Sequence, residues 1–312
     1  MVDQKRKNSD SYFEYINGIT YFFIQKGKRS DLLLIQLACF SDTSNHGSKP
    51  EKVLRWGFSI ANEARTLRDT FALGVIHQRI GSYYYIKLDD HINTFRQLWT
   101  VKRLIQHLSP EDFPEKNYDT YYLARSYFDF FDYENAIRQG KPLMNVSPEK
   151  ITSTHIFNTC LLGMSYYYLK NPVEARRYFL WGLRYVPEVF MQSTANREIG
   201  WTGIFYGDIG LTYFQEKNYE QAIPYLTKGF DLTTQTKYWN NVPLFGAKLA
   251  RIYLEKSQLT KALEYASWSI EAAQKLDTII YPRSRFIAEP YEVMAEFYSR
   301  ANRSFYALAS PD

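Results

Sequence analysis

The sequence predicts an all-α fold, an α-solenoid in which antiparallel helix pairs stack one on the next. Three observations lead there. Small residues recur with an aromatic residue three positions on, a bulky residue nine on and an alanine twelve on. Glycine and proline, at 15 and 12 in 312 residues, are too few for an all-β or low-complexity chain. Aromatic residues make up 17% of the chain, with 27 tyrosines and 21 phenylalanines, and stacked helix pairs need such bulk at each interface between repeats.

Four segments show the spacing in full. They are Ala124, Tyr127, Tyr133 and Ala136; Gly163, Tyr166, Pro172 and Ala175; Gly210, Tyr213, Tyr219 and Ala222; and Ala250, Tyr253, Leu259 and Ala262. Two of them close with a proline at +24, Pro148 and Pro187. A fainter segment begins at Ile80-Gly81, with Tyr84 at +3 but Asn93 where the alanine is expected. The alanine-to-alanine steps are 39, 47 and 40 residues, so the helices or their connections are long.

This pattern resembles the tetratricopeptide repeat, a helix-turn-helix unit of about 34 residues, in its extended bacterial form. The stretch from Leu162 to Pro187 follows it nearly throughout, with Phe179 and Gly182 also in register. The resemblance implies a right-handed superhelix, because one repeat cannot bury its apolar face alone. It also implies that the first helix of each repeat lines the inside.

Within a repeat the small residues have a packing reason. Gly210 falls on a first helix and Ala222 on a second, with a turn near Lys217-Asn218 between them. Slim side chains at both places let two helices approach at the short end of the usual interaxial range. Gly163/Ala175 and Gly210/Ala222 are thus expected to meet across adjoining helices, with Tyr213, Tyr219 and Tyr225 filling the space beside the crossing.

Outside the repeats the signals are plainer. Residues 1–10 are polar and expected to be flexible, and 11–67 form a degenerate helical repeat or a cap. Within that span 12–25, 30–40 and 53–66 have helical apolar spacing, and 41–51 reads as a polar loop. Repeats are expected over 68–284 and a terminal helix and tail over 285–312, the latter without a partner helix and read either as a solubilising cap or, the favoured alternative, as the end of a piece of a longer protein.

Several function classes are disfavoured. The net charge of +5 comes from 38 basic and 33 acidic residues spread along the chain, not the concentrated footprint of nucleic-acid binding. No apolar run is long enough for a membrane span, and the start lacks an apolar leader core, which points to the cytoplasm if Met1 is native. Cys39 and Cys160 read as small buried apolar residues, not a disulfide. His46, His77, His91, His107 and His155 fall at no metal-ligand spacing, and no phosphate-binding or nucleophile motif occurs. Asp89-Asp90 and Glu111-Asp112 fall at turns or helix starts, where a carboxylate suits the helix dipole. Asn145-Val146-Ser147 and Asn302-Arg303-Ser304 match the glycosylation acceptor, a pattern frequent by chance. No catalytic constellation, metal site or cofactor is implied.

What the resemblance adds is an inner surface. Carried over by position, its partner-binding groove would be lined by Tyr118, Tyr121, Arg125 and Phe128, then Phe157, Met164, Tyr167 and Tyr168, then Leu211 and Phe214, then Arg251. The set is aromatic and apolar, with Arg125 and Arg251 as isolated cations. It lacks the Lys and Asn clamp of chaperone-adaptor members, since Tyr121/Arg125 and Cys160/Met164 stand in those places. A peptide or protein segment with apolar anchors, and one acidic group for Arg125 or Arg251, is the expected ligand. The function expected is a non-enzymatic scaffold within a regulatory or signalling protein. The alternatives are a peptide-signal receptor that changes superhelix shape and a homo-oligomerisation module acting through the C-terminal helix.

Overall fold

Six of the turns between helices share one device. Arg68, Asp89, Phe131, Lys170, Lys217 and Ser257 adopt left-handed φ values of 56°, 51°, 63°, 61°, 58° and 59°. The residue that follows opens the next helix. Asp69, Asp90, Asp132, Asn171 and Asn218 each accept a hydrogen bond on the side chain from the backbone N–H three residues on. That satisfies one of the orphan donors of a helix start. The N–H groups of Asp69, Asn171, Asn218 and Gln258 also reach back five residues, to the carbonyls of Ala64, Tyr166, Tyr213 and Tyr253. This is the closed C-terminal turn usually built on glycine.

The computed structural model describes residues 49–109, 113, 116–191, 195–238, 241–276 and 284–309, together with Leu33, Gln36 and Phe40. The helices expected at 12–25 and 30–40, most of the 41–51 loop and Glu111-Asp112 therefore lie outside the described residues, save those three side chains and Lys49, Pro50 and Glu51. The chain divides into two compact units, 1–130 and 131–312.

In the first unit, α1 (Pro50–Thr66), α2 (Thr70–Leu88), α3 (His91–Ile105) and α4 (Lys116–Asp129) pack each on the next. Pro50 and Glu51 belong to α1, where proline suits the first helical turn, so the loop ends sooner than expected. One core joins Val53, Ile60, Ala64, Ala72, Ile76 and Ile80 to Leu33 and Phe40. At the faint repeat, the Asp90 N–H reaches back six residues to Tyr84 instead of five. One extra residue in that turn keeps Gly81/Tyr84 in register on α2 and shifts the second helix by one. Thr94, four after its cap, thus takes the place that Ala175, Ala222 and Ala262 hold four after theirs; Asn93 does not. Thr94 is buried, and its hydroxyl donates to the Asp90 carbonyl at 2.8 Å.

In the second unit a short α5 (Tyr133–Gly140) leads through two 3-10 turns into α6 (Ser153–Tyr168), α7 (Pro172–Phe190), α8 (Ala195–Gln215), α9 (Tyr219–Gln235), α10 (Val242–Glu255), α11 (Leu259–Leu276) and α12 (Ser284–Ala309). The first helices α6, α8, α10 and α12 touch in sequence as one row, and α7, α9 and α11 pack against that row. The long alanine steps have two causes. The 3-10 turns lengthen the first, and helices of 19 and 21 residues lengthen the second. Pro187 does not close its repeat, because α7 runs through it to Phe190.

The small residues mark the helix crossings, one turn further on than expected. A Cβ on Gly163 would lie 2.3 Å from the Phe179 ring, and one on Gly210 would lie 2.7 Å from Leu226. The partner at each crossing is thus the residue four after Ala175 or Ala222. Ala250 and Ala266 share one core at the next repeat. The tightest approach to another helix's backbone is between α8 and α9, where a Cβ on Gly229 would lie 2.4 Å from the Gly207 Cα. Beside the crossings the tyrosines pair across helices. Tyr166–Tyr178, Tyr213–Tyr225 and Tyr253–Tyr265 have ring centroids 5.5, 5.5 and 5.6 Å apart.

Candidate functional site

The groove residues expected from sequence divide between the two units. In the first, α4 carries Tyr118, Tyr121, Arg125 and Phe128. Tyr118 donates its hydroxyl to that of Tyr122 at 3.0 Å, and Tyr122 meets Tyr121 and, edge-on, Tyr85. Burial first, then Tyr122, pushes the Tyr118 phenol well up, so it acts as a neutral hydrogen-bonding group. Phe128 is buried. Arg125 is not an isolated cation: its Nε donates to Asp129 at 3.1 Å. The two lie one turn apart on α4.

In the second unit the row α6–α8–α10–α12 carries the rest. Leu211 is 0% exposed, so it belongs to the core and not to a groove. Met164 is nearly as deeply placed. Phe157 packs against Trp201, 5.0 Å between centroids, and lies under the Arg197 guanidinium. Tyr168 stacks on Tyr133 at 5.0 Å. Arg251 donates to Glu296 of α12 at 2.9 Å, so it too is paired. Tyr167 and Phe214 remain partly exposed on the row.

Around those two rings the structure assembles Asp208, Lys248 and Glu289, which sequence patterns did not single out, with Cys160 and Gln215, which fall at inner positions by the resemblance. Asp208 of α8 is 1% exposed, and the Cys160 thiol of α6 donates to its Oδ2 at 3.6 Å. Its Oδ1 has no hydrogen-bond partner among the described residues. Burial pushes the carboxyl up to about 8, with the Cys160 contact pulling the other way, so Asp208 is chiefly protonated at neutral pH. Cys160 is accordingly a half-buried polar contact, not the buried apolar residue expected. Two turns along the same helix, Gln215 donates its amide to the Tyr167 carbonyl at 3.1 Å, and its own oxygen has no partner among the described residues. Burial first, then the Glu289 carboxylate, raises the Tyr167 phenol. Lys248 of α10 forms an ion pair with Glu289 of α12, and its Nζ lies 4.9 Å from the Phe214 centroid. The signal for Asp208 was present: one carboxylate inside the apolar run from Ile204 to Phe214.

Three of the histidines serve packing and turns. His77 is buried with Nδ1 2.7 Å from Gln97, His155 closes the start of α6 with Thr152, and His91 sits between Asp89 and Asp129. Asp90 caps α3 as the dipole argument expected. Among the described residues no three His, Cys, Asp or Glu side chains converge as a metal site, and no helix is long and apolar enough to cross a membrane.

Helix hairpins with one turn device, stacked through a row of first helices, define an all-α helical-repeat protein of solenoid class. The chain matches no protein-family model and no curated protein. Its fold is similar to that of a Rap protein complexed with competence and sporulation factor, at 12% identity and a TM-score of 0.56, over 94% of this chain and 88% of that one. It is also similar to aspartyl phosphate phosphatase F from Bacillus subtilis, at 16% identity and 0.55, over 95% and 85%. The apo form of RapI gives 11% identity and 0.52, over 95% and 88%. At such identities the likeness is one of fold.

Proposed function

We propose that this chain is a tetratricopeptide-type binding scaffold, acting by holding a peptide or protein segment and not by catalysis, as the ligand-binding part of a regulatory protein in the cytoplasm. The observation that supports it most is the pair of buried oxygens without a partner among the described residues on one face of α8, Asp208 Oδ1 and Gln215 Oε1, next to the partly exposed rings of Tyr167 and Phe214. A buried polar atom without a partner costs about 1–3 kcal/mol. A segment with apolar anchors and free backbone N–H and C=O groups would satisfy both, the amide oxygen with a donor and the neutral carboxyl with either, as it covers the rings. This revises the ligand expected from sequence. With Arg125 and Arg251 already paired, the second unit calls for donors and apolar side chains before an acidic group. The similar fold of a Rap protein complexed with a factor is in keeping with this, and the sequence carries no phosphate-binding or nucleophile motif.

A second reading, a receptor that changes shape with its signal, is favoured by one feature. Glu289 and Glu296 tie α12 to Lys248 and Arg251 beside the same rings, so a ligand there would bear directly on how α12 is held. A thermal-shift screen with a short-peptide library tests both. Tyr167→Ala and Phe214→Ala should each cost about 2 kcal/mol or more of binding to any stabilising peptide while helix content stays unchanged. Loss of helix content in these variants would make the rings core and the face no binding site.

A further inference from the structure

Each complete repeat of the second unit is joined by the same motif used twice. Gly163-x-x-Tyr166 faces Ala175-x-x-Tyr178, Gly210-x-x-Tyr213 faces Ala222-x-x-Tyr225, and Ala250-x-x-Tyr253 faces Ala262-x-x-Tyr265. In every case the helices are antiparallel, the small residue allows close approach, and the tyrosines three positions on lie ring to ring. Four residues before the small one, Tyr206 adds a further ring 6.0 Å from Tyr225.

α12 carries this motif once more, as Ala295-x-x-Tyr298, with Tyr291 in the place of Tyr206. Its opposite side is used: Val293 is buried in a core with Ala247, Ala250 and Ala266. The motif side is open. Tyr291 is 46% exposed, Tyr298 is 57% exposed, and Ala295 is exposed between them. This is the face with which α6, α8 and α10 receive a second helix.

We propose that α12 is the contact by which two copies of this chain pair, antiparallel, across a two-fold axis. The occupant follows from the motif itself. Small-x-x-Tyr recognises another small-x-x-Tyr running the opposite way, and a two-fold contact needs one surface patch that fits its own copy. Ser299 of the second copy would stand over Ala295, as Ala266 stands with Ala250 in the last complete repeat. Tyr298 of each copy would lie on Tyr298 of the other. The pairing closes on itself, so assembly stops at two chains.

Sedimentation equilibrium of the full chain over a wide dilution series tests this. A monomer–dimer equilibrium is expected, abolished by Ala295→Arg and weakened about tenfold or more by Tyr298→Ala, since buried aromatic anchors dominate such contacts. Both side chains are exposed, so circular dichroism should show the helix content of the native chain in each variant. A native chain that stays monomeric throughout, growth beyond two chains, or a dimer undisturbed by Ala295→Arg would each overturn the assignment.

Discussion

Asp208 on α8 and Lys248 on α10 hold the same position in consecutive repeats, two before Gly210 and Ala250, and they do opposite things. Lys248 reaches the next first helix and is neutralised there by Glu289. Asp208 finds a thiol on the preceding first helix, α6, and no partner for its second oxygen among the described residues. Where the slot is filled by a charge with a partner it joins neighbouring repeats. Where it is filled by a buried carboxyl with no ionic partner, chiefly protonated at neutral pH, the fold carries a burden that packing does not explain. The repeat framework is therefore neutral about what this slot does, and the flanking helix decides.

The contrast can be broken most forcefully at Asp208. A carboxyl raised in the folded state gives stability that is complete below its unfolded value near 4 and is lost as pH rises to about 8. Asp208→Asn should remove that slope, on the order of a few kcal/mol across the window. Denaturant midpoints measured from acid to mildly alkaline pH should diverge, with the variant the more stable above neutrality. Equal curves would show that Asp208 is not buried as a neutral acid.

Lys248→Met is the converse change. It leaves Glu289 partly buried without its cation, so a loss of about 1–3 kcal/mol is expected. Urea titration of the variant against the native chain checks it. The smallest effect belongs to Cys160→Ser, which exchanges a weak thiol donor for a stronger hydroxyl. It should lower the Asp208 value and move the pH-stability curve to lower pH, with a stability change of about 1 kcal/mol or less.

Much of the second unit could be read from the chain alone because its constraints are local. The Gly163, Gly210 and Ala250 crossings need slim residues at fixed spacing, and spacing is visible in a sequence. The turn at Lys217-Asn218 was legible too, although its recurrence at Lys170-Asn171 and Phe131-Asp132 was missed, because a left-handed phenylalanine or lysine does not look like a turn signal. Arg251 and Leu211 were misjudged for another reason. The partner of Arg251 is 45 residues away on α12, and the burial of Leu211 depends on how neighbouring helices close over it. Neither fact has a period. Asn93 was matched to the alanine position because a single extra residue in a turn breaks any fixed offset.

At Gly207 and Gly229 the main chains of α8 and α9 come nearly to touching, with no side chain between them to slide or repack. Two rods welded at their midpoint move only together. Any bending within the second unit must then be taken up on either side of this joint, toward α6 and α7 or toward α10 and α12, and the rings of Tyr167 and Phe214 stand at those two seams.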